Sequence, residues 1–291
     1  MDSININLFN CLNIGDSHPV VIMGVINLSP ESFYQGSVLT NIDELAKTIN
    51  EMLKNGAKML DIGARSTAPW SDKITVEDEL KRIIPVVEKT CKLIPKEIIV
   101  SIDTQYEIVA KECYKITQEQ KRNMIINDVS NLKTDTELSD FVVKNDIPII
   151  LMASNKVPGD ILLIADIISS LKLSINSLEK AGLDKNKIIV DPGIGAWIPE
   201  KAFEHDLGII NNLEQLRVLK KPILIALSRK SFIGNALGIP DPENRYFGSL
   251  SSSAIAVYNG AHVVRSHDVS NDFNDFAQMA KILRENRKKS Q

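Results

Sequence analysis

The 291-residue chain holds only three cysteines, Cys11, Cys91 and Cys113, and they lie far apart. No CxxC pair occurs, so neither a zinc knuckle nor a disulfide framework is expected, and the thiols read as reduced. Reduced thiols fit a cytoplasmic protein. No apolar run approaches the roughly 20 residues of a membrane span. The N-terminal MDSININLFN has no basic stretch followed by a long apolar one, so no secretory signal is expected. There is no basic excess. Lys plus Arg number 34 against 37 Asp plus Glu, a formal net charge of −3. That disfavours a nucleic-acid partner and leaves room for a local phosphate site. No GxGxxG follows the first apolar run, because Gly24 lies inside it, which argues against a dinucleotide-binding sheet. Linkers, low-complexity segments and repeats are missing too, so a single domain is expected.

What the chain does have is eight short apolar runs, at 20–26, 58–62, 97–102, 123–126, 147–152, 188–190, 222–227 and 262–264. They are continuous Val/Ile/Leu without alternation, as in parallel strands buried on both faces. Amphipathic stretches separate them. Residues 41–56, 75–94, 161–182, 204–220, 249–261 and 270–287 carry helical spacing, and several have start or stop signals such as Thr75 or Gly182. A βα alternation of this length predicts a (β/α)₈ TIM barrel. Residues 1–19 read as an N-terminal extension, 20–287 as the barrel and 288–291 as a frayed basic tail.

Each apolar run stops at polar residues: Asn27, Asp61, Asp103, Asn127–Asp128, Ala153–Ser154, Asp191, Ser228–Arg229–Lys230 and Arg265–Ser266–His267–Asp268. Barrel strands point their C-terminal ends at one face, where catalytic groups sit. Arg265 and His267 are two residues apart on the last strand, so they share a face and suit an anion clamp. Arg229 and Lys230 are adjacent and cannot both enter one pocket. An aspartate at a strand end also caps a following helix. That bland reading is taken for Asp61 and Asp128. His18, His205 and His262 are assigned nothing.

Five segments then stand together: MGVINLSPESFYQGS (23–37), LDIGARSTAPW (60–70), SIDT with IINDVS (101–104 and 125–130), IIVDPGIGAW (188–197), and SRKSFIG with RSHD (228–234 and 265–268). Together they resemble the dihydropteroate synthase family over about residues 20–285. The resemblance implies that a dihydropterin diphosphate meets p-aminobenzoate, pyrophosphate leaves and a C–N bond forms. It assigns the pterin to Asp103, Asn127, Met152, Asp191 and Lys230, and the diphosphate to Asn27, Arg265 and His267. Asn27 would also ligate Mg²⁺. Catalysis would rest on Lys230, Asp103 and Arg265. Ser228, Thr67, Pro69 and Arg65 fall on the arylamine side. A homodimer through residues 249–287 is implied as well. Chemistry agrees: a ring with donor and acceptor edges suits two carboxylates and an amide set deep in a pocket.

The chain departs from the family's pattern on the arylamine side. GGESTRPG becomes GARSTAPW, so Arg65 replaces a glutamate and Ala68 an arginine. DPGIGFGK becomes DPGIGAWIPE, with Ala196–Trp197 and no lysine at the expected place. Gln35 replaces an aspartate and Ala153 a histidine. Three alternatives stay open on the sequence: a ribosylated aminobenzene phosphate as acceptor, a pterin-dependent methyltransferase, and a non-catalytic pterin-binding protein.

Overall fold

The structure, a computed structural model, describes residues 3–29, 42–66, 71, 73–195 and 198–289. Eight strands run parallel: β3 (Val21–Asn27), β4 (Ala57–Gly63), β5 (Ile99–Asp103), β6 (Met124–Asp128), β7 (Ile149–Met152), β8 (Ile188–Asp191), β9 (Leu224–Ala226) and β10 (Val263–Ser266). Their order in the sheet is β8-β7-β6-β5-β4-β3-β10-β9. A parallel bridge between Val190 and Ile223 joins the two ends, so the sheet closes on itself. Helices α1 (Ile42–Lys54), α2 (Val76–Leu93), α3 (Glu107–Glu119), α4 (Glu137–Lys144), α5 (Ile164–Ala181), α6 (Phe203–Asn211), α7 (Ser231–Leu237), α8 (Tyr246–Tyr258) and α9 (Asn271–Lys289) lie outside. The expected (β/α)₈ barrel is the fold.

The two-residue period of a strand sorts the side chains. Ile22, Ile26, Leu60, Ile62, Val100 and Ile102 point outward into the main core, against helix residues such as Leu45, Ile83 and Val109. Met23, Met59, Ile99, Ile125, Ile150 and Ile189 point inward and fill the barrel. Going up the same inward rows, Val25 leads to Asn27, Asp61 to Gly63, Ser101 to Asp103, and Ile125 to Asn127. The interior therefore turns from apolar to polar towards the C-terminal ends.

Four differences from the sequence reading have physical causes. Residues 1–19 are not a mere extension. Strands β1 (Asn5–Leu8) and β2 (Leu12–Gly15) form an antiparallel hairpin. Its Ile6, Leu8, Leu12 and Ile14 join the barrel's interior cluster and seal the floor. Each such burial contributes about 1.5–3 kcal/mol. Helix 204–220 is two pieces. α6 ends at Asn211, where the capping residue Asn212 donates its side-chain amide to Gly208 O at 2.8 Å, and a 3₁₀ segment, Leu213–Leu219, follows. Helix 249–261 begins earlier, at Tyr246, and ends at Tyr258. The last helix runs to Lys289, into the supposed tail. By contrast, Thr75 does cap α2, with a reciprocal capping box through Asp78.

Candidate functional site

The upper end of the barrel opens into a cleft of about 920 Å³ counted to its mouth. Asn27, Arg65, Asp103, Asn127, Met152, Asp191, Ser228, Lys230, Arg265 and His267 all line it. Each was expected in the site, and together they come from seven strand ends and the βα2 connection. Thr67, Pro69, Ala68, Gln35, Ala196 and Trp197 lie outside the described residues.

The charged groups interlock. Arg265 donates from Nε to Asp61 Oδ2 at 2.5 Å and from Nη2 to Asp103 Oδ2 at 3.0 Å. Asn127 donates its amide to Asp61 Oδ2 at 3.1 Å, and Ser101 donates its hydroxyl to Asp61 Oδ1 at 2.5 Å. Asp61 accepts from the Ser101, Asn127 and Arg265 side chains, so the helix-capping role expected of it is wrong. It points into the barrel one layer below Asp103 and ties Asn127 to Arg265. The sequence carried the signal, since residue 61 shares the inward row of Met59. Asp128 does not cap the following helix either: it accepts from the backbone of Ser130 at 2.9 Å and of Leu132 at 2.5 Å, which shapes the loop after β6, while α4 begins only at Glu137 after Thr136. Gly63 keeps the wall open: a Cβ there would stand 3.3 Å from Asp103 Cβ.

Lys230 enters the cleft because its neighbour turns away. Strand β9 ends at Ala226, so Arg229 and Lys230 are past the strand and alternation does not separate them. Arg229 instead sits at φ 58, a left-handed conformation that costs a non-glycine residue about 1–2 kcal/mol. It is held there by a two-pronged pair with Asp268, at 2.8 and 2.7 Å, and by donation to the carbonyls of Pro242 and Glu243. Lys230 Nζ then donates to Ile194 O at 2.5 Å. Asp191 Oδ1 accepts from Gly193 N at 2.7 Å.

Burial pushes the Asp103 carboxyl up, and the nearby Asp61 charge adds to this while Arg265 opposes it. Asp191 is also raised by burial, against the pull of Lys230. Lys230 is lowered to about 8 by burial, with Asp191 opposing. His267 is lowered to about 3 by burial and by the Arg265, Arg229 and Lys230 cations. It is therefore a neutral ring at pH 7 and brings no charge to an anion. Its Nδ1 lies 3.1 Å from Ser228 Oγ.

Arg65 lines the cleft, but its charge is engaged. Nε donates to the buried Glu79 at 2.6 Å, Nη1 donates to Ile74 O at 2.6 Å, and the guanidinium lies 4.8 Å from the Tyr106 ring centre. Glu79 also accepts from Thr104 Oγ1 at 2.6 Å. The lysine missing from its expected place after DPGIG is supplied by Lys201, six residues beyond Gly195, whose Nζ donates to Gly193 O at 2.8 Å. The residues between 195 and 201 hid it from the motif. Among the described residues, no three His, Cys, Asp or Glu side chains gather as a metal site, and no helix is long and apolar enough to cross a membrane.

A barrel with such a polar mouth is a fold on which many enzymes are built. Residues 23–267 match the family described as pterin binding enzyme, which sets the class. The dihydropteroate synthase of Bacillus subtilis (strain 168) is 34% identical over 263 residues, 90% of this chain and 87% of that protein. That of Clostridium beijerinckii is 36% identical over 258 residues, covering 88% and 91%. A Yersinia pestis dihydropteroate synthase solved as a sulfonamide drug complex superposes with a TM-score of 0.84 at 29% identity, covering 97% of this chain and 99% of that one. The Xanthomonas albilineans enzyme with 4-aminobenzoic acid gives 0.80 at 28% identity, covering 97% and 98%. This chain belongs to the dihydropteroate synthase family of pterin-binding enzymes.

Proposed function

We propose that the protein joins 6-hydroxymethyl-7,8-dihydropterin diphosphate to p-aminobenzoate and releases pyrophosphate. One observation carries the reading: Asp103, Asn127, Asp191 and Lys230 converge on a single cleft from four strand ends. Two carboxylates, an amide and an ammonium match the donor and acceptor edge of a pterin, and a missing partner would strand a buried polar group. Met152, 4% exposed, gives the ring an apolar floor. Asn27, Arg265 and the neutral His267 take the diphosphate. Arg265 stabilises charge on the leaving oxygen as the C–O bond breaks, while the arylamine nitrogen forms the C–N bond and gives up a proton. Asp103, with its carboxyl held up, exchanges a proton with the ring edge near neutral pH. Ser228 takes the arylamine side.

Mg²⁺ fits this donor set. Mg²⁺ is commonly held by one or two protein oxygens together with substrate phosphates. Asn27 Oδ1 is a neutral oxygen at the cleft, accepting also from Ser29 N at 3.0 Å. Asn27 would hold the Mg²⁺ together with the diphosphate, and the ion would supply positive charge to offset that of the leaving pyrophosphate.

The acceptor is p-aminobenzoate rather than a ribosylated aminobenzene phosphate, since Glu79 already neutralises Arg65. The test is one assay offering both acceptors with the same pterin diphosphate, reading kcat/KM for each. Preference for the phosphorylated acceptor, lost in Arg65→Ala, overturns the choice. Pyrophosphate release with neither acceptor overturns the transfer reaction. A methyltransferase would leave the pterin diphosphate intact.

The protein is a cytoplasmic homodimer whose two sites are each built from one chain. On α8 and α9, Phe247, Ile255, Phe276, Met279 and Leu283 are about half or more exposed on flanking faces. A second copy of the chain would cover this apolar patch.

A further inference from the structure

Lys201 and Asp206 are fully buried and paired, with Nζ 3.2 Å from Oδ1. A buried ion pair is weak evidence for stability, because apolar residues of similar volume often serve as well. This pair even leaves Asp206 Oδ2 buried with no hydrogen-bond partner. Its geometry points elsewhere, to residues 193–195 just after β8.

Those three residues connect two sets of groups. Lys201 Nζ holds the carbonyl of Gly193 at 2.8 Å and that of Gly159, in the connection after β7, at 3.1 Å. Gly193 N donates to Asp191 Oδ1 at 2.7 Å. The next peptide unit, Ile194–Gly195, is gripped at both ends: its N–H donates to Asp206 Oδ1 at 3.0 Å, and its oxygen accepts from Lys230 Nζ at 2.5 Å. The loop needs this external grip, since Gly193 and Gly195 sit at φ 75 and 135 and hold little conformation of their own. Gly193 is also sterically required, because a Cβ there would stand 2.8 Å from Ala153 O.

We propose that Lys201, with Asp206, is a positioning residue for pterin recognition: Lys201 fixes the Gly193–Ile194 peptide unit, which lies between the unit that holds Asp191 and the unit, gripped by Asp206, that holds Lys230. The inference rests on the assignment of Asp191 and Lys230 to the pterin. Lys201 does not line the cleft, so it acts through those two groups. The arylamine side, to which the sequence just beyond this loop is assigned, should feel it less than the pterin does.

The experiment uses the double variant Lys201→Met/Asp206→Leu, which removes both buried charges at similar volume. Its thermal midpoint should stay within a few degrees of wild type, roughly, as for other buried pairs replaced by apolar residues. The KM for the pterin diphosphate should rise about ten-fold, the lower end of what lost supporting hydrogen bonds cost. The arylamine KM should change by less than about two-fold, a split that a merely structural pair would not produce. A folded variant with an unchanged pterin KM, or with both KM values raised equally, overturns the inference. If the double variant does not fold, Lys201→Met/Asp206→Asn is read the same way, since it removes the grip on Gly193, leaves no buried unpaired charge and keeps one carbonyl oxygen for Gly195. Asp191→Asn is run alongside. If it loses pterin while the Lys201 variants do not, only this inference fails. If it too binds pterin normally, the assignment beneath it falls.

Discussion

The two ends of the barrel use the same kinds of side chain to opposite effect. At the floor, Asp16 accepts from Arg217 at 2.9 and 2.7 Å, from Ile4 N at 2.9 Å and from His262 Nε2 at 3.3 Å. His262 Nδ1 accepts from Ile223 N, which leaves its proton on Nε2, facing Asp16. Although burial works against it, hydrogen bonds from His262 and Arg217 hold the Asp16 carboxyl far below the usual range. At the mouth, Asp103 and Asp191 are pushed up, and Lys230 and His267 are pushed down. The floor holds its carboxylate in the charged form, whereas the mouth pushes Asp103, Asp191, Lys230 and His267 towards their neutral forms around a charged Arg265. Perturbed groups of the second kind mark working sites, whose stability is made up elsewhere in the fold.

The largest expected effect breaks the floor. Asp16→Ala strands Arg217, His262 and Arg284 and frees the hairpin. It should lower stability by about 3–5 kcal/mol, as when one partner of a buried charge network is removed. Denaturant titration reads the loss, and pterin affinity measured on folded protein should be unchanged. Since Asp16 is depressed in the folded state, its contribution is present at neutral pH and fades as pH falls below about 4. A destabilisation under about 1 kcal/mol, small even for an average substitution, would erase the distinction between the two ends.

At the mouth the same operation should cost binding instead. Asp103→Ala or Asp191→Ala should weaken pterin binding by about 2–5 kcal/mol in calorimetry, the loss expected for a buried charged partner. Near-normal affinity in both variants would remove them from the site.

A smaller effect comes from pH. Lys230 is a cation below about 8 and neutral above it. Pterin affinity should therefore decline as pH rises through about 8, and Lys230→Met should lack that decline. The stability sign is opposite. Between about 8 and the unfolded lysine value the unfolded chain binds more protons, so this group's contribution to stability rises with pH in that window. A flat affinity profile from pH 7 to 10 would take Lys230 off the ligand.

The barrel and most of the mouth were legible in the sequence for one reason. Strand ends and inward rows follow a period of two, so Asp103, Asn127, Asp191, Arg265 and His267 announce a common face. Asp61 was misread because capping and inward pointing look alike without the row of Met59 above it. Lys201 was missed because intervening residues broke the motif while the fold restored the contact. The hairpin and the Asp16 cluster were invisible for a different reason. Asp16, Arg217, His262 and Arg284 are scattered along the chain, and only packing brings them together. The neutralisation of Arg65 was not legible either, because its partner Glu79 lies a helical turn into α2.

The smallest expected effect on chemistry concerns neither end but the flank. Phe276, Met279 and Leu283 recur at i, i+3 and i+7 along α9, so they share one helix face. They are 52%, 53% and 49% exposed, an unusual placement for large apolar side chains on a helix. The adjoining face of α9 is buried through Phe273, Ala277 and Ala280, so the exposed face beside it is left for a partner. Phe276→Asp with Met279→Lys should convert a dimer to a monomer by light scattering at micromolar concentration. All ten described site residues belong to one chain, so kcat should stay within about two-fold, as expected when no transition-state contact is lost. A wild-type mass of one chain would end the dimer proposal. A dimer whose dissociation abolishes turnover would mean that the mouth depends on the flank, and the contrast between the two ends would then need a third region.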